Sequence, residues 1–314
     1  MKQKALAYTA ALVSVVVWGF SFIGMKWVMR DFPPMTMTCI RYFIAAGIMM
    51  PALAIVRPGL KLRPGFSKPV VISGLLLGLF SALESQGVKY TTSSVASLIF
   101  AAVPMILLFA ELIFDKKKPT IYEVLGVGAS GAGVCLLIIF SSGEQADATN
   151  PALGNMLIVA SCIAWVVYTL LSKKALREHS ALYVTSWHML WGAIAIVPFS
   201  LAEIPQWHEV PLLTWGVLIA MVVFCNVIGY FAYNYALHRL GSVTLNTVIN
   251  FQPFVTIIAS FFILSEMLTP VQFVGGAVVI VGIVIITVPF KKILLRMRVS
   301  RRKALPSEAS RPIQ

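Results

Sequence analysis

The feature that most constrains this chain is a series of long apolar runs separated by short polar or Pro/Gly-containing connections. An α-helix needs about 20 apolar residues to cross the roughly 30 Å hydrocarbon core of a bilayer. Runs of that kind occupy residues 5–25, 36–56, 69–88, 94–114, 122–140, 153–171, 181–199, 212–235, 243–264 and 271–288. Hydrophobic residues make up 59% of the chain and charged residues only 12%, which is too little polar surface for a water-soluble globule. The sequence therefore predicts ten transmembrane helices.

The apolar runs favour helices over a membrane β-barrel. They lack the alternating pattern of about ten residues that barrel strands show, and glycine and proline occur within them as membrane helices tolerate. No small-residue cleavage site follows the first run, which is longer than the core of a typical signal peptide. We therefore expect an all-α membrane protein whose first apolar segment remains as helix 1.

Positive residues predict the orientation, because short cytoplasmic loops retain lysine and arginine. If both termini are cytoplasmic, 21 of the 25 positive residues lie inside the cell. The net charge of +13 is thus spread over alternate loops, with no basic domain carrying interleaved aromatic residues, and nucleic-acid binding is not expected. The basic tail, residues 289–314, has two open interpretations, a topology signal or a contact with anionic lipid.

The second half of the chain repeats the first, at a shift of 147 residues that later becomes 149. Matching pairs include Ser14 and Ser161, Trp18 and Trp165, Pro51 and Pro198, Ser93 and Ser242, Pro104 and Pro253, and Gly133 and Gly282. We predict a first repeat at 5–140, a loop at 141–152, and a second repeat at 153–288. Since each repeat has five helices, the second must enter the membrane from the opposite side. Such inverted repeats are typical of secondary transporters, whose substrate site lies between the repeats.

The stretches WGFSFIGMKWV, QGVKYTTSSVASLIFAAVP and ALHRLGSVTLNTVINFQPFVTIIASFFILSE resemble the drug/metabolite transporter superfamily, in its branch with two EamA domains. The resemblance implies a multi-pass protein of a bacterial cytoplasmic membrane that moves amino acids, related metabolites or organic toxic compounds. The family often carries a glutamate near the end of each repeat's fourth helix. Glu266 occupies that place in the second repeat, whereas position 117 in the first repeat is lysine.

Polar residues in the ninth predicted helix point to a substrate pathway. Asn246, Asn250 and Pro253 share one helix face, and Gln252 lies beside them. Pro253 and its counterpart Pro104 are expected to interrupt helices 9 and 4, and paired interrupted helices mark transport sites. The alternative is that the amides are hydrogen-bonding groups between helices and that the prolines are tolerated kinks.

Aromatic residues deep in other helices are further candidates for substrate binding. Trp18 and Trp165 occupy equivalent positions in helices 1 and 6, and Tyr168 shares the face of Trp165. Asn226 and Tyr230 form a polar and aromatic stripe on helix 8. Contact with an amphipathic solute and filling of the space between the two halves both explain the tryptophans.

Ionisable residues within membrane helices are costly and need a partner or a purpose. Arg41 and Glu84 are predicted near the outer ends of their helices, where they could form a gate, attract a charged group of the substrate, or make a structural salt bridge. His188, the counterpart of Arg41, lies nearest mid-depth on its helix. It could couple transport to protons or simply bond across helices.

No cofactor is expected. The glycine-rich runs GVGASGAGV from Gly126 and GGAVVIVG from Gly275 lack the GK[ST] of a nucleotide loop and follow no strand, so we interpret them as helix contacts that support each repeat. The four cysteines have no CxxC spacing, which disfavours a zinc site or a disulfide framework.

The function that follows is a secondary transporter of small organic metabolites, acting as an exporter, as a monomer or a homodimer. The alternatives are a channel-like facilitator and a non-transporting membrane sensor. A membrane enzyme is disfavoured, because the sequence has no HExxH, no GxSxG and no convergence of histidine with paired carboxylates.

Overall fold

The structure, a computed structural model, describes residues 2–56, 67–114, 120–140 and 149–287, and within these ranges it is almost wholly helical, with no strand. The first half contains α1 (Lys2–Val28), α2 (Pro34–Val56), α3 (Lys68–Tyr90), α4 (Ser93–Phe100), α5 (Val103–Phe114) and α6 (Ile121–Ile139). The second half contains α7 (Pro151–Glu178), α8 (Ala181–Leu201), α9 (Leu212–Met221), a π-helical segment (Val222–Gly229), α10 (Tyr230–Leu240), α11 (Ser242–Ile249), α12 (Gln252–Leu264) and α13 (Pro270–Thr287).

Among the described residues, seven stretches are long and apolar enough to cross a membrane, judged by length and composition alone. Three shorter apolar helices also occur, at Val124–Ile139, Gln252–Leu264 and Pro270–Ile285. These elements follow the predicted order of apolar runs and confirm a helical membrane protein. The count of ten spans and the orientation of the termini stay predictions, and the tail beyond residue 287 lies outside the described residues.

Both of the predicted fourth helices are interrupted at equivalent places. In the first half α4 ends at Phe100 and α5 begins at Val103, and in the second α11 ends at Ile249 and α12 begins at Gln252. Pro104 and Pro253 each stand second in the helix that follows the break. Proline suits this place because its fixed φ fits a first turn and its missing N–H has no partner there anyway. The expected interruption is confirmed at both sites.

The predicted span at 212–235 is not one regular helix. Its middle, Val222–Gly229, is π-helical, and hydrogen bonds in a π-helix reach one residue further than in an α-helix. Two carbonyls of this segment accept hydrogen bonds from α1. Trp18 Nε1 donates to the carbonyl of Cys225 at 3.1 Å and Ser14 Oγ donates to that of Gly229 at 3.0 Å. The segment thereby fixes α1 against the second half.

The helix contacts between the halves are symmetric when one half is exchanged for the other. The helix α2 packs against α8, α6 against α13, α1 against α10, and α7 against α3. Exchanging the two halves maps the first two pairs onto themselves and the third onto the fourth. This is the pairing expected of two related units around an approximate two-fold axis.

The glycine-rich helices α6 and α13 form one of these contacts. A Cβ atom on Gly133 would lie 2.7 Å from the backbone oxygen of Gly275, and one on Gly282 would lie 2.6 Å from that of Gly126. The expected close backbone approach is therefore confirmed. The expectation that these glycines support each repeat is wrong, because their contact joins the two repeats to each other.

Candidate functional site

A cavity lies between the two halves. Its walls come from α1, α2, α3 and α4 of the first half and from α7, α10 and α12 of the second: Trp18, Ser21, Phe22, Met25, Thr38, Arg41, Phe80, Ser81, Glu84, Phe100, Trp165, Tyr230 and Gln252. About 30 Å³ of the cavity is accessible to the centre of a water-sized sphere. This is room for one or two waters. Six of the predicted site residues line this cavity: Trp18, Arg41, Glu84, Trp165, Tyr230 and Gln252.

Two ionisable side chains, Arg41 and Glu84, line this cavity. The Arg41 side chain is only 6% exposed, and its Nε donates to Oδ1 of Asn226 in the π-helical segment at 3.0 Å. Glu84 of α3 lines the same cavity. Among the described residues no hydrogen bond is found between Arg41 and Glu84, and the three roles foreseen for the pair, a gate, attraction of a charged substrate group and a structural salt bridge, stay predictions. Buried ionisable groups are costly unless they have a partner, and both of these lie in the wall of the cavity between the halves.

Aromatic rings form the apolar wall. Trp18 and Trp165, predicted as equivalent positions, meet edge to face with centroids 5.4 Å apart. Trp165 also packs on Phe80 at 4.8 Å, and Trp18 on Tyr230 at 5.0 Å. Such pairs add packing energy and leave flat faces that contact apolar or cationic groups. The tryptophans therefore fill the space between the halves and line the cavity at once.

The sequence did not predict one pair of hydrogen-bonded hydroxyl groups beside the cavity. Tyr42 Oη and Ser81 Oγ are 2.5 Å apart, and Tyr42 Oη also donates to Tyr230 Oη at 3.3 Å. Tyr42 directly follows Arg41 in an apolar helix, and that position is the signal that could have found it. Nothing in the sequence distinguishes Ser81 from the other serines of its helix.

The three amides of the ninth predicted helix have different surroundings. Gln252 lines the cavity and donates from Nε2 to the carbonyl of Trp18 at 3.4 Å. Asn246 donates to the carbonyl of Ser242 in its own helix at 2.8 Å. Asn250 follows the end of α11, where the helix is interrupted. Neither Asn246 nor Asn250 lines the cavity in this conformation.

Tyr168 and His188 lie outside the cavity lining. Both are fully buried, and their rings meet at 5.4 Å. His188 Nε2 is 2.7 Å from Ser73 Oγ, a contact that joins α8 to α3, whereas no partner is found for Nδ1 among the described residues. In this conformation the histidine therefore acts as a hydrogen-bonding group between helices, one of the two roles foreseen for it.

Potential metal ligands do not cluster in the part of the chain that the structure describes. No group of three or more histidine, cysteine, aspartate or glutamate residues is placed there to hold an ion. The cysteines are free thiols, and Cys39, Cys162 and Cys225 are buried among the helices.

A helical membrane protein of two related halves with a cavity between them has the architecture of a membrane transporter. A model of the family described as EamA-like transporter family matches residues 5–139 and 152–288. The chain therefore belongs to the EamA-like transporter family, and the two matches confirm the duplication expected from the sequence.

Relatives agree with this assignment, and a solved structure shares the fold. The chain is 26% identical over 281 residues to the uncharacterized transporter YyaM of Bacillus subtilis (strain 168), covering 88% of this chain and 92% of that protein. It is 22% identical to a probable terminal-alkyne amino-acid exporter of Streptantibioticus cattleyicolor, over 89% of this chain and 93% of the other. A crystal structure superposes with a TM-score of 0.64 at 16% identity, over 90% and 97% of the two chains, and shows that the fold is shared.

Proposed function

We propose that this protein is a secondary transporter that exports a small organic metabolite with both a positive and a negative charge, such as an amino acid. It acts by alternating access between two inverted repeats, and both termini of the chain are cytoplasmic. The observation that carries this proposal is the cavity between the halves, with Arg41 and Glu84 in its wall.

The chemistry of the cavity matches the two ends of an amino acid. Nε of Arg41 is held by Asn226, and the other nitrogens of a planar guanidinium suit a carboxylate. The carboxylate of Glu84 and the faces of the tryptophans attract an ammonium group. Phe80 and Phe100 then offer contact to an apolar side chain. The name of the Streptantibioticus relative, an amino-acid exporter, points in the same direction.

The size of the cavity supports alternating access. Room for one or two waters is too little for an organic solute, so the helices must separate to admit it. The breaks before Pro104 and Pro253 are places where the fourth helix of each repeat could bend. We propose that Asn246 and Asn250, near the second break, line the pathway in the separated conformation.

The test is a metabolite screen with purified protein in sealed vesicles. We expect saturable transport of a zwitterionic solute, because a carrier binds its cargo at each turnover. Arg41→Gln and Glu84→Gln should each lower kcat/KM by about tenfold or more, since a hydrogen bond to a charged group contributes about 1.5–3 kcal/mol. The matched control is Arg30→Gln, because Arg30 is exposed and stacks on Trp27.

Two outcomes would contradict the proposal. Unchanged kinetics in both cavity variants would remove the cavity as the binding site. Flux that rises linearly with solute concentration would favour the channel-like alternative. A separate variant, Asn250→Ala, tests the pathway, and transport of every substrate at the unaltered rate would exclude Asn250 from it.

A further inference from the structure

Two carboxylates of the second half reach across to helix N-termini of the first half. Glu203, which follows α8, is 8% exposed. Its Oε1 accepts from the backbone N–H of Met35 at 3.2 Å, and its Oε2 accepts from the N–H and the Oγ1 hydroxyl of Thr36 at 2.7 and 2.9 Å. Met35 and Thr36 form the first turn of α2. Glu203 thus caps the N-terminus of α2, a helix in the other half of the protein.

Glu266 makes the same kind of contact with α4. Its Oε1 accepts from the N–H of Ser93 at 3.1 Å, and its Oε2 accepts from the N–H and the Oγ of Ser94 at 3.1 and 3.0 Å. The preceding residue, Ser265, ends α12 in the left-handed conformation with φ 56°. That conformation is uncommon for a residue other than glycine, and it turns the chain so that Glu266 reaches α4.

Both contacts lie at one end of the bundle. The ends of α1 and α3 meet there, since Lys26 Nζ donates to the carbonyl of Lys89 at 3.4 Å, and α2 and α4 begin directly after them. The charge pattern assigns this end to the cell exterior, and we call it the outer end. The unpaired N–H groups and the dipole at a helix N-terminus favour a carboxylate, so these contacts tie the halves together at the outer end.

The opposite end has no equivalent tie in the part of the chain that is described. The counterparts of α2 and α4 under the repeat are α8 and α11. The start of α8 is capped by its own neighbour, Ser180, whose side chain accepts from the N–H of Tyr183 at 3.3 Å. The N-cap of α11, Gly241, provides no side-chain hydrogen bond. Position 117, the counterpart of Glu266, is lysine in the sequence and lies outside the described residues.

We propose that Glu203 and Glu266 form a two-part latch that holds the outer end of the central cavity closed, and that each transport cycle must open it. Met25, in the last turn of α1, and Thr38, two residues after Thr36 in α2, both line the cavity. Because the described residues show the latch at the outer end alone, it favours conformations that load from the inner end, as an exporter requires. The inference rests on the proposed transport function.

The first experiment measures access to the cavity from outside. In a variant with Cys39, Cys135, Cys162 and Cys225 replaced by alanine or serine, Met25→Cys serves as the reporter for a membrane-impermeant maleimide added to intact cells. We expect Glu203→Gln or Glu266→Gln to raise the labelling rate about tenfold, because a neutral amide replaces a charge-assisted acceptor. Glu209→Gln is the matched control, since Glu209 is an exposed carboxylate at the same end, and should leave the rate unchanged.

A further variant tests whether a substitution beside Glu266 that preserves the latch leaves labelling slow. Ser265→Gly keeps Glu266 in place, because glycine adopts the left-handed conformation readily, and we expect the reporter to react as slowly as with the unaltered latch. Labelling in Glu203→Gln and Glu266→Gln that equals the Glu209→Gln rate would overturn the proposal. Faster labelling only by reagent on the cytoplasmic side would overturn it too, because the latch would then face inwards.

The second experiment fixes the latch shut. Ser94→Cys and Glu266→Cys, bridged by a short reducible bifunctional thiol reagent, should stop transport in vesicles, and reduction should restore it. Each single cysteine with the same reagent is the control. Transport that continues in bridged protein would overturn the latch and leave the transporter assignment intact. If the unaltered protein carries no solute, the transport proposal fails, whereas the labelling experiment still decides whether the latch closes the cavity.

Discussion

At the scale of single residues, the cavity depends on how closely α1 approaches the π-helical segment. Trp18 donates to the carbonyl of Cys225, and Cys225 Sγ lies 3.2 Å from the carbonyl of Val17. Gly229 leaves the space for this approach, because a Cβ atom there would lie 2.7 Å from Trp18 Nε1 and 3.0 Å from Cγ2 of Val17. The position of the Trp18 ring in the cavity wall therefore depends on a residue that does not line the cavity.

We expect Gly229→Ala to lower the free energy of unfolding by about 1–3 kcal/mol, the usual cost of overpacking, and to slow transport by displacing Trp18. Gly216→Ala is the control in the same predicted span, because a Cβ atom on Gly216 would meet nothing within 4 Å. Its melting temperature should stay the same or rise, as alanine favours helix over glycine. Equal melting temperatures of the two variants in detergent would contradict this account of Gly229.

At the scale of helices, α6 and α13 are held by backbone contact. In a bilayer the hydrophobic effect does not drive helices together, so packing of small residues decides which pairs form. A Cβ atom on Gly282 would lie 2.5 Å from the backbone nitrogen of Ser130, and no side-chain rotation could relieve that clash. The pair is therefore less tolerant of larger residues than the cavity wall, where side chains meet side chains.

Gly282→Ala should separate α6 from α13 and lower the melting temperature, with a loss of stability of about 1–3 kcal/mol or more. Gly128→Ala, on α6 itself, should have little effect, since a Cβ atom on Gly128 would meet nothing within 4 Å. Thermal unfolding followed by size-exclusion chromatography measures both. If Gly282→Ala melts like Gly128→Ala, the close contact between these helices does not contribute to stability.

At the scale of the whole molecule, the two halves differ although they share a fold. Exchanging one half for the other maps the contacts between them onto one another, yet Arg41 in the first half corresponds to His188 in the second. Within the described ranges, carboxylates that bridge the halves are found at the outer end and not at the inner end. A symmetric pair of repeats would have no preferred side. The differences are consistent with the proposed export, which requires the two sides of the protein to differ.

The proposed direction of transport requires that the outer end face the cell exterior. We expect a cysteine at Glu209 to react with an impermeant maleimide added to intact cells, and a cysteine at Lys174 to react only after the membrane is opened. Both positions are exposed, so accessibility across the membrane alone separates them. The reverse pattern would contradict the predicted orientation and would turn the latch towards the cytoplasm.

The sequence by itself determined the membrane setting, the duplication and the interrupted fourth helices. These properties depend on residues that are close along the chain: an apolar run of sufficient length inserts wherever it occurs, and proline alters its own turn of helix. Residue type and position within an apolar helix were local signals that also sufficed to select Trp18, Trp165, Arg41 and Glu84 as candidates. The same signals selected Asn246, Asn250, Tyr168 and His188, which do not line the cavity in this conformation.

Only the tertiary structure decided which of these side chains meet. Arg41 bonds to Asn226, 185 positions away, and Glu203 bonds to Thr36, 167 positions away. The packing of one half against the other sets such pairs, and neither hydropathy nor spacing reports them. The Tyr42 and Ser81 pair and the latch stayed hidden for the same reason, because each requires two separate stretches of chain to be neighbours in space.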